Sequence, residues 1–133
     1  MAKHHEWSDS SAQKLDSCDT RLQEIMNMAL AYFPHDMIII EGQRSNRRQD
    51  ILFNAIPQKS KLRAGQSKHN TYPSKAVDAA PLIDGKIDWK NRELWLQFAG
   101  FVQGIAVALG YEIRWGGDWD GDFDSAEHGF WDG

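Results

Sequence analysis

Apolar residues recur at three- and four-residue steps through residues 10–32, where Leu15, Cys18, Leu22, Ile25, Met26 and Ala29 form one stripe. That spacing predicts a single amphipathic helix, started by a Ser8 or Ser10 cap and ended by Pro34. The β-branched run MIIIEGQ, 37–43, predicts a buried strand, and SNRRQDILFNA, 45–55, a second helix. Residues 56–68 are polar, hold Pro57 and Gly65, and predict a loop. KAVDAAP, 75–81, predicts a short strand stopped by Pro81, and the Asp84-Gly85 pair a small hairpin. From 91 to 109 the stripe Leu94, Phe98, Phe101, Val102, Ile105 and Leu109 predicts the longest helix, ended by Gly110. YEIRWGG, 111–117, predicts a strand, and the Gly- and Asp-rich remainder a loop. Helices and strands mix without strict βαβ alternation, so the expected class is α+β, a short antiparallel sheet with flanking helices. One domain is expected over 10–133, preceded by a flexible N-terminus over 1–9.

Composition narrows the function classes. The 133 residues are 41% hydrophobic and 26% charged, enough for a core and unlike a disordered chain. A formal net charge of −4 argues against nucleic acid as the main partner. Cys18 is the one cysteine, so no internal disulfide forms. No apolar run reaches the length of a membrane span, and the first residues, MAKHHEWSDSS, lack the apolar centre of a signal peptide. Five of the six tryptophans lie from Trp89 onward, and after Arg114 there is no Lys or Arg.

The stretch GQSKHNTYPSKAVDAAP, 65–81, carries the candidate chemistry. His69 offers an imidazole on a loop, and Asp78 a carboxylate on the following strand. Alternation places Ala76 and Ala80 on the side of Asp78, leaving room beside it. A catalytic zinc uses ligands of these types and keeps one position open. An ordinary surface loop accounts for a lone His/Asp pair as readily, and both readings stay open on these residues alone.

The surrounding motifs add a resemblance. SKH, a turn, then AVD resembles the S-x-H … A-x-D signature of zinc peptidases that cut peptidoglycan stems. These are the D-Ala-D-Ala dipeptidases, D,D-carboxypeptidases and phage L-alanyl-D-glutamate endolysins, which share the hedgehog/D,D-peptidase-like fold. EGQRS, 41–45, and FAGFVQGIAVALGYEIRWGGDWDGD, 98–122, resemble further family segments in the same order. The Tyr-Pro-Ser turn makes the His-to-Asp interval longer than in the commonest form. The resemblance implies that His69 and Asp78 are zinc ligands. It implies that Arg44 stabilises the oxyanion or holds a substrate carboxylate, and that Ser67 bonds the substrate or orients His69. The competing account of Arg44 is a surface ion pair.

The family closes its site with an acid and a histidine three residues apart, commonly Asp-x-Pro-His-Phe. Aligned without gaps, Asp132 falls on the acid that serves as general base, and the sequence stops at Gly133. Either the third ligand lies past the last residue given, or His128 replaces it with Glu127 or Asp124 as base. The alternating Asp118, Asp120, Asp122 and Asp124 resemble the start of a calcium loop but lack the EF-hand glycine and glutamate positions. A looser calcium site and a solvated acidic loop both remain open. His4, His5 and His35 read as bystanders.

The resemblance implies a zinc metallopeptidase hydrolysing an amide bond in peptidoglycan stem peptides, as phage endolysins do. A monomer is expected, held in the host cytoplasm until release to the cell wall, or carried on a virion. The alternative is a catalytically incomplete wall-binding or virion structural module of the same fold.

Overall fold

The computed structural model describes residues 5–60, 62–116 and 129–132. Four helices and four strands follow in the order α1 (Asp9–Asp16), α2 (Thr20–Tyr32), β1 (Met37–Glu41), α3 (Asn46–Asn54), β2 (Ala76–Pro81), α4 (Arg92–Leu109), β3 (Ile113–Trp115) and β4 (Gly129–Asp132), with a 3-10 turn at Lys68–Asn70 before β2. The strands form one antiparallel sheet in the order β1-β2-β4-β3.

The stripe over 10–32 is two helices rather than one. Ser17 caps the end of α1, and the Asp19 side chain accepts from Arg21 N to start α2. The break is pinned from outside: Asp19 N donates to Ser74 O at 2.7 Å, and Ser74 N donates to Ser17 O at 2.8 Å. Periodicity cannot see this, because the apolar stripe runs on across the break. Ser8 is the cap of α1, accepting from Ser11 N, while Trp7 donates its indole N–H to Asn27 Oδ1 at 2.7 Å.

Pro81 ends its strand, as expected. It is the last residue of β2, opposite Met37. A proline is tolerated there because the strand ladder ends and no further N–H is needed. The Asp84-Gly85 hairpin forms as expected, with both residues at positive φ and Ile83 bridged to Lys86. α4 begins on an Asn91 cap and ends at Gly110, whose φ of 80° is the left-handed conformation that suits glycine.

The largest departure is β4. The C-terminal remainder was expected as loop, yet Gly129–Asp132 is an inner strand between β2 and β3. Four residues carry little local signal, and their pairing is with segments far off in sequence. Phe130 is fully buried against Phe98 of α4, ring centroids 5.9 Å apart, and Phe98 packs in turn on Phe33 after α2. Val77 and Ala79 of β2 join this apolar layer. Residue alternation then sends Asp78 to the opposite face of β2, where it is nonetheless buried.

Edge strand β1 is covered by α1, and Ile39 N donates to Ser11 Oγ at 3.0 Å. A bulge between Ile39 and Glu41 brings Glu41 opposite Asp78. It aims the chain from β1 into Gly42 and Arg44, beside that carboxylate. Among the described residues no helix is long and apolar enough to cross a membrane.

Candidate metal centre

Three segments converge on Asp78. β2 supplies the carboxylate itself, 2% exposed. The turn after β1 supplies Arg44, 3% exposed. The 3-10 turn supplies His69. Each is fixed by its neighbours in sequence and by contacts to the other segments.

Ser67 starts the His69 turn. Its Oγ accepts from His69 N at 3.2 Å, and Asn70 completes a reciprocal capping box. The Ser67 hydroxyl thus braces the backbone of the His69 turn. Asn70 then ties the turn to the Arg44 segment: Nδ2 donates to Arg44 O at 2.9 Å and Ser45 O at 3.3 Å, while Oδ1 accepts from Ser67 N and Gly65 N. Arg44 N donates to His69 O at 2.6 Å. The return from His69 to β2 passes through a cis Tyr72-Pro73 bond.

The ring of His69 is oriented from both sides. Its Nδ1 lies 2.6 Å from Gly42 O. A carbonyl only accepts, so Nδ1 carries the proton and Nε2 of the neutral ring presents a lone pair. Nε2 faces Asp78 Oδ1 at 3.3 Å. That oxygen is buried, and no described residue donates a hydrogen bond to it. Two lone-pair atoms thus face each other in a buried setting, an arrangement that suits a cation between or beside them. Burial disfavours protonation of His69, but the Asp78 carboxylate outweighs it and holds the imidazole above its ordinary pKa, with Arg44 opposing. A metal ion binding at Nε2 would have to displace that proton.

Asp78 Oδ2 has a different partner, Arg44 Nη2 at 3.2 Å. The guanidinium is otherwise engaged: Nε donates to Glu41 Oε1 at 2.7 Å, Nη1 to Gln49 Oε1 at 2.7 Å, and Nη2 also lies 2.6 Å from Glu41. Arg44 is a buried spoke holding Asp78 rather than a surface ion pair. Gln49, fully buried on α3, completes the set by donating to Ser60 Oγ and Leu62 O. Residues positioning the site that sequence reasoning did not single out are Glu41, Gly42, Gln49 and Asn70. Glu41 and Gly42 stood inside the EGQRS segment, but nothing local revealed their contacts.

Gly42 is required by space. A Cβ there would collide with Lys14 O and lie 2.5 Å from Ser17 Oγ and 3.1 Å from Cys18 Sγ. The same seam buries Cys18, whose thiol is pushed up to about 12 by desolvation, more than a Ser17 hydrogen bond pulls it down.

His69 and Asp78 fit a zinc ion by donor chemistry, one imidazole nitrogen and one carboxylate oxygen. Each has outer support, Gly42 O behind the ring and Arg44 behind the carboxylate, as metal ligands usually do. Among the described residues no group of three or more His, Cys, Asp or Glu comes together. His128, Glu127 and the Asp118–Asp124 loop lie outside the described residues, and calcium there finds no support. Asp132 ends β4, opposite Ile113; in a register that pairs Asp78 with Gly129, it stands three residues farther along the neighbouring strand.

Comparison with known proteins gives a consistent outcome. The family model described as phage L-alanyl-D-glutamate peptidase matches residues 4–133. The L-alanyl-D-glutamate peptidase of Escherichia phage T5 is 33% identical over 134 positions, covering 93% of this chain and 90% of that protein. The crystal structure of the Serratia marcescens L-Ala D-Glu endopeptidase ChiX shares the fold, with a TM-score of 0.76 at 24% identity, over 98% of this chain and 92% of that one.

Proposed function

Because the chain belongs to the phage L-alanyl-D-glutamate peptidase family, we propose that it hydrolyses the L-alanyl–D-glutamate amide of peptidoglycan stem peptides, with His69 and Asp78 as two ligands of a catalytic zinc. The observation that carries this reading is the pair His69 Nε2 and Asp78 Oδ1, 3.3 Å apart, the latter buried without a hydrogen-bond donor among the described residues.

Zinc bound there supplies Lewis acidity toward the scissile carbonyl and the attacking water. The protein's part is positioning and proton transfer. Gly42 O fixes the His69 tautomer so that the Nε2 lone pair would be free to hold the metal. Arg44 neutralises Asp78 from behind and keeps Oδ1 pointed at the site. This makes Arg44 a positioning residue rather than an oxyanion donor, since Glu41, Gln49 and Asp78 already engage its nitrogens. Asp132 is the general base: it takes a proton from the attacking water and returns it to the leaving amine of D-glutamate. A catalytic zinc takes three protein ligands, and His128 is the candidate for the third within the sequence.

The test is incubation of the chain with purified peptidoglycan and labelling of newly exposed amino groups. New N-terminal D-glutamate is expected from the unmodified chain and none from His69→Ala. Binding to the wall with no new amino groups would point instead to a wall-binding module. New N-termini other than D-glutamate would refute the bond assignment.

A further inference from the structure

Charge and apolar exposure coincide on one lobe of the molecule. Between residues 46 and 75 the sequence holds seven Lys and Arg against one acid, Asp50, although the whole chain carries −4. The lone acid is exposed, with its Oδ1 accepting from Ala64 N at 3.0 Å, so seven cations stand against one carboxylate. The same stretch carries exposed apolar side chains: Ile51 is 53% exposed, Leu62 43%, and Ile56 99%.

The geometry makes this a surface rather than a scatter. α3 turns Gln49 and Leu52 inward. Positions i and i+4 share a helix face, so Arg47 and Ile51 lie together on the outward side, and Ile56 follows two residues past the helix end. The segment after Ile56 wraps back on α3: Lys59 N and Ser60 N both donate to Leu52 O, and Arg63 lies 5.0 Å over the Phe53 ring. A fully exposed isoleucine at a loop tip has nothing to pack on within its own chain. Exposed apolar side chains in a stretch rich in cations match an interface whose surface is anionic and whose interior is apolar. A soluble polyanion would satisfy the cations and leave Ile56 in water.

We propose that the α3 lobe, residues 46–75, is a peripheral membrane-binding surface for anionic lipid, with Ile56 and Ile51 entering the headgroup–acyl boundary and Arg47 and Arg63 meeting lipid phosphates. The lobe adjoins the metal centre through Arg44 and Ser45, so a docked chain would hold that centre close to the bilayer surface.

The experiment is co-sedimentation of the full chain with vesicles of equal parts phosphatidylcholine and phosphatidylglycerol, and with vesicles of phosphatidylcholine alone. Binding is expected to the mixed vesicles only, weakening as salt rises. Ile56→Ser should weaken it roughly fiftyfold, from the loss of three buried methylene and methyl groups at ~0.8 kcal/mol each. Arg47→Gln should weaken it about fivefold, from ~1 kcal/mol per charge near an anionic surface. Both positions face solvent, so far-UV circular dichroism should be unchanged. Failure to sediment with the mixed vesicles overturns the proposal. So does full binding by Ile56→Ser, which would identify a charge-only site for a polyanion such as nucleic acid.

Discussion

Replacing Arg44 by methionine removes the counter-charge from a carboxylate that is 2% exposed. Three partners lose a donor. Glu41 has 21% of its side chain exposed and still faces Arg48 at 3.4 Å, so it turns to water at little cost. Gln49 Oε1 and Asp78 Oδ2 have no such escape. A buried amide oxygen left unsatisfied costs about 1–3 kcal/mol, and breaking a buried ion pair from one side about 3–5 kcal/mol. These overlap, because both partners relax around the same vacated space, so the expected loss is about 3–5 kcal/mol. In a domain of this size that lowers Tm by roughly 10–20 °C. Urea denaturation followed by tryptophan fluorescence measures it, once with a chelator and once with excess zinc. Zinc should recover part of the loss, about 2–3 kcal/mol near a hundredfold excess over its Kd, because the ion restores positive charge beside Asp78. The double variant Arg44→Met/Asp78→Leu should be less destabilised than Arg44→Met alone, since no uncompensated charge remains. A loss below about 1 kcal/mol for Arg44→Met, or a double variant worse than the single, would refute the view that Arg44 holds Asp78.

Gly42→Ala should destabilise by about 2–3 kcal/mol and weaken zinc binding, because the new Cβ meets Lys14 O and Ser17 Oγ and displaces the carbonyl behind His69; denaturation and zinc titration would both register it. Cys18, raised to about 12 from an ordinary 9.0, should resist a thiol-reactive disulfide reagent at pH 8 until the chain unfolds. Its linkage has a definite sign: the thiol stays protonated in the fold, so its contribution to stability is present below pH 9 and declines above it. Asp132→Ala should abolish hydrolysis while keeping zinc, whereas His69→Ala should lose both; zinc retained by His69→Ala would contradict the ligand assignment.

The sequence carried the parts of this fold that are written locally. α4 was legible because its stripe spans five turns and ends on a glycine. β1 was legible as a run of isoleucines. What escaped depended on distant partners. The break at Ser17–Asp19 is held by Ser74, and β4 exists because β2 and β3 flank it. The site followed the same division. His69 and Asp78 were visible by their donor types and by the motif around them, and Ser67 by its place before the histidine. Gln49, buried on a helix of arginines, gave no sign that it braces Arg44. Asn70 gave none that it stitches two loops together, since its four hydrogen bonds reach as far as Arg44. The burial of Arg44 among Glu41, Gln49 and Asp78 was hidden for the same reason: a charged side chain announces its chemistry in sequence, but not which partners will surround it.

A metal held between His69 and Asp78 would use Nε2 and Oδ1, which face each other at 3.3 Å. Zinc content per chain, by elemental analysis after dialysis from a zinc-buffered solution, tests that site most directly. About one zinc per chain is predicted, falling to near zero in His69→Ala. A chain that retains no zinc, or a His69→Ala variant that retains as much as the unmodified chain, would contradict it.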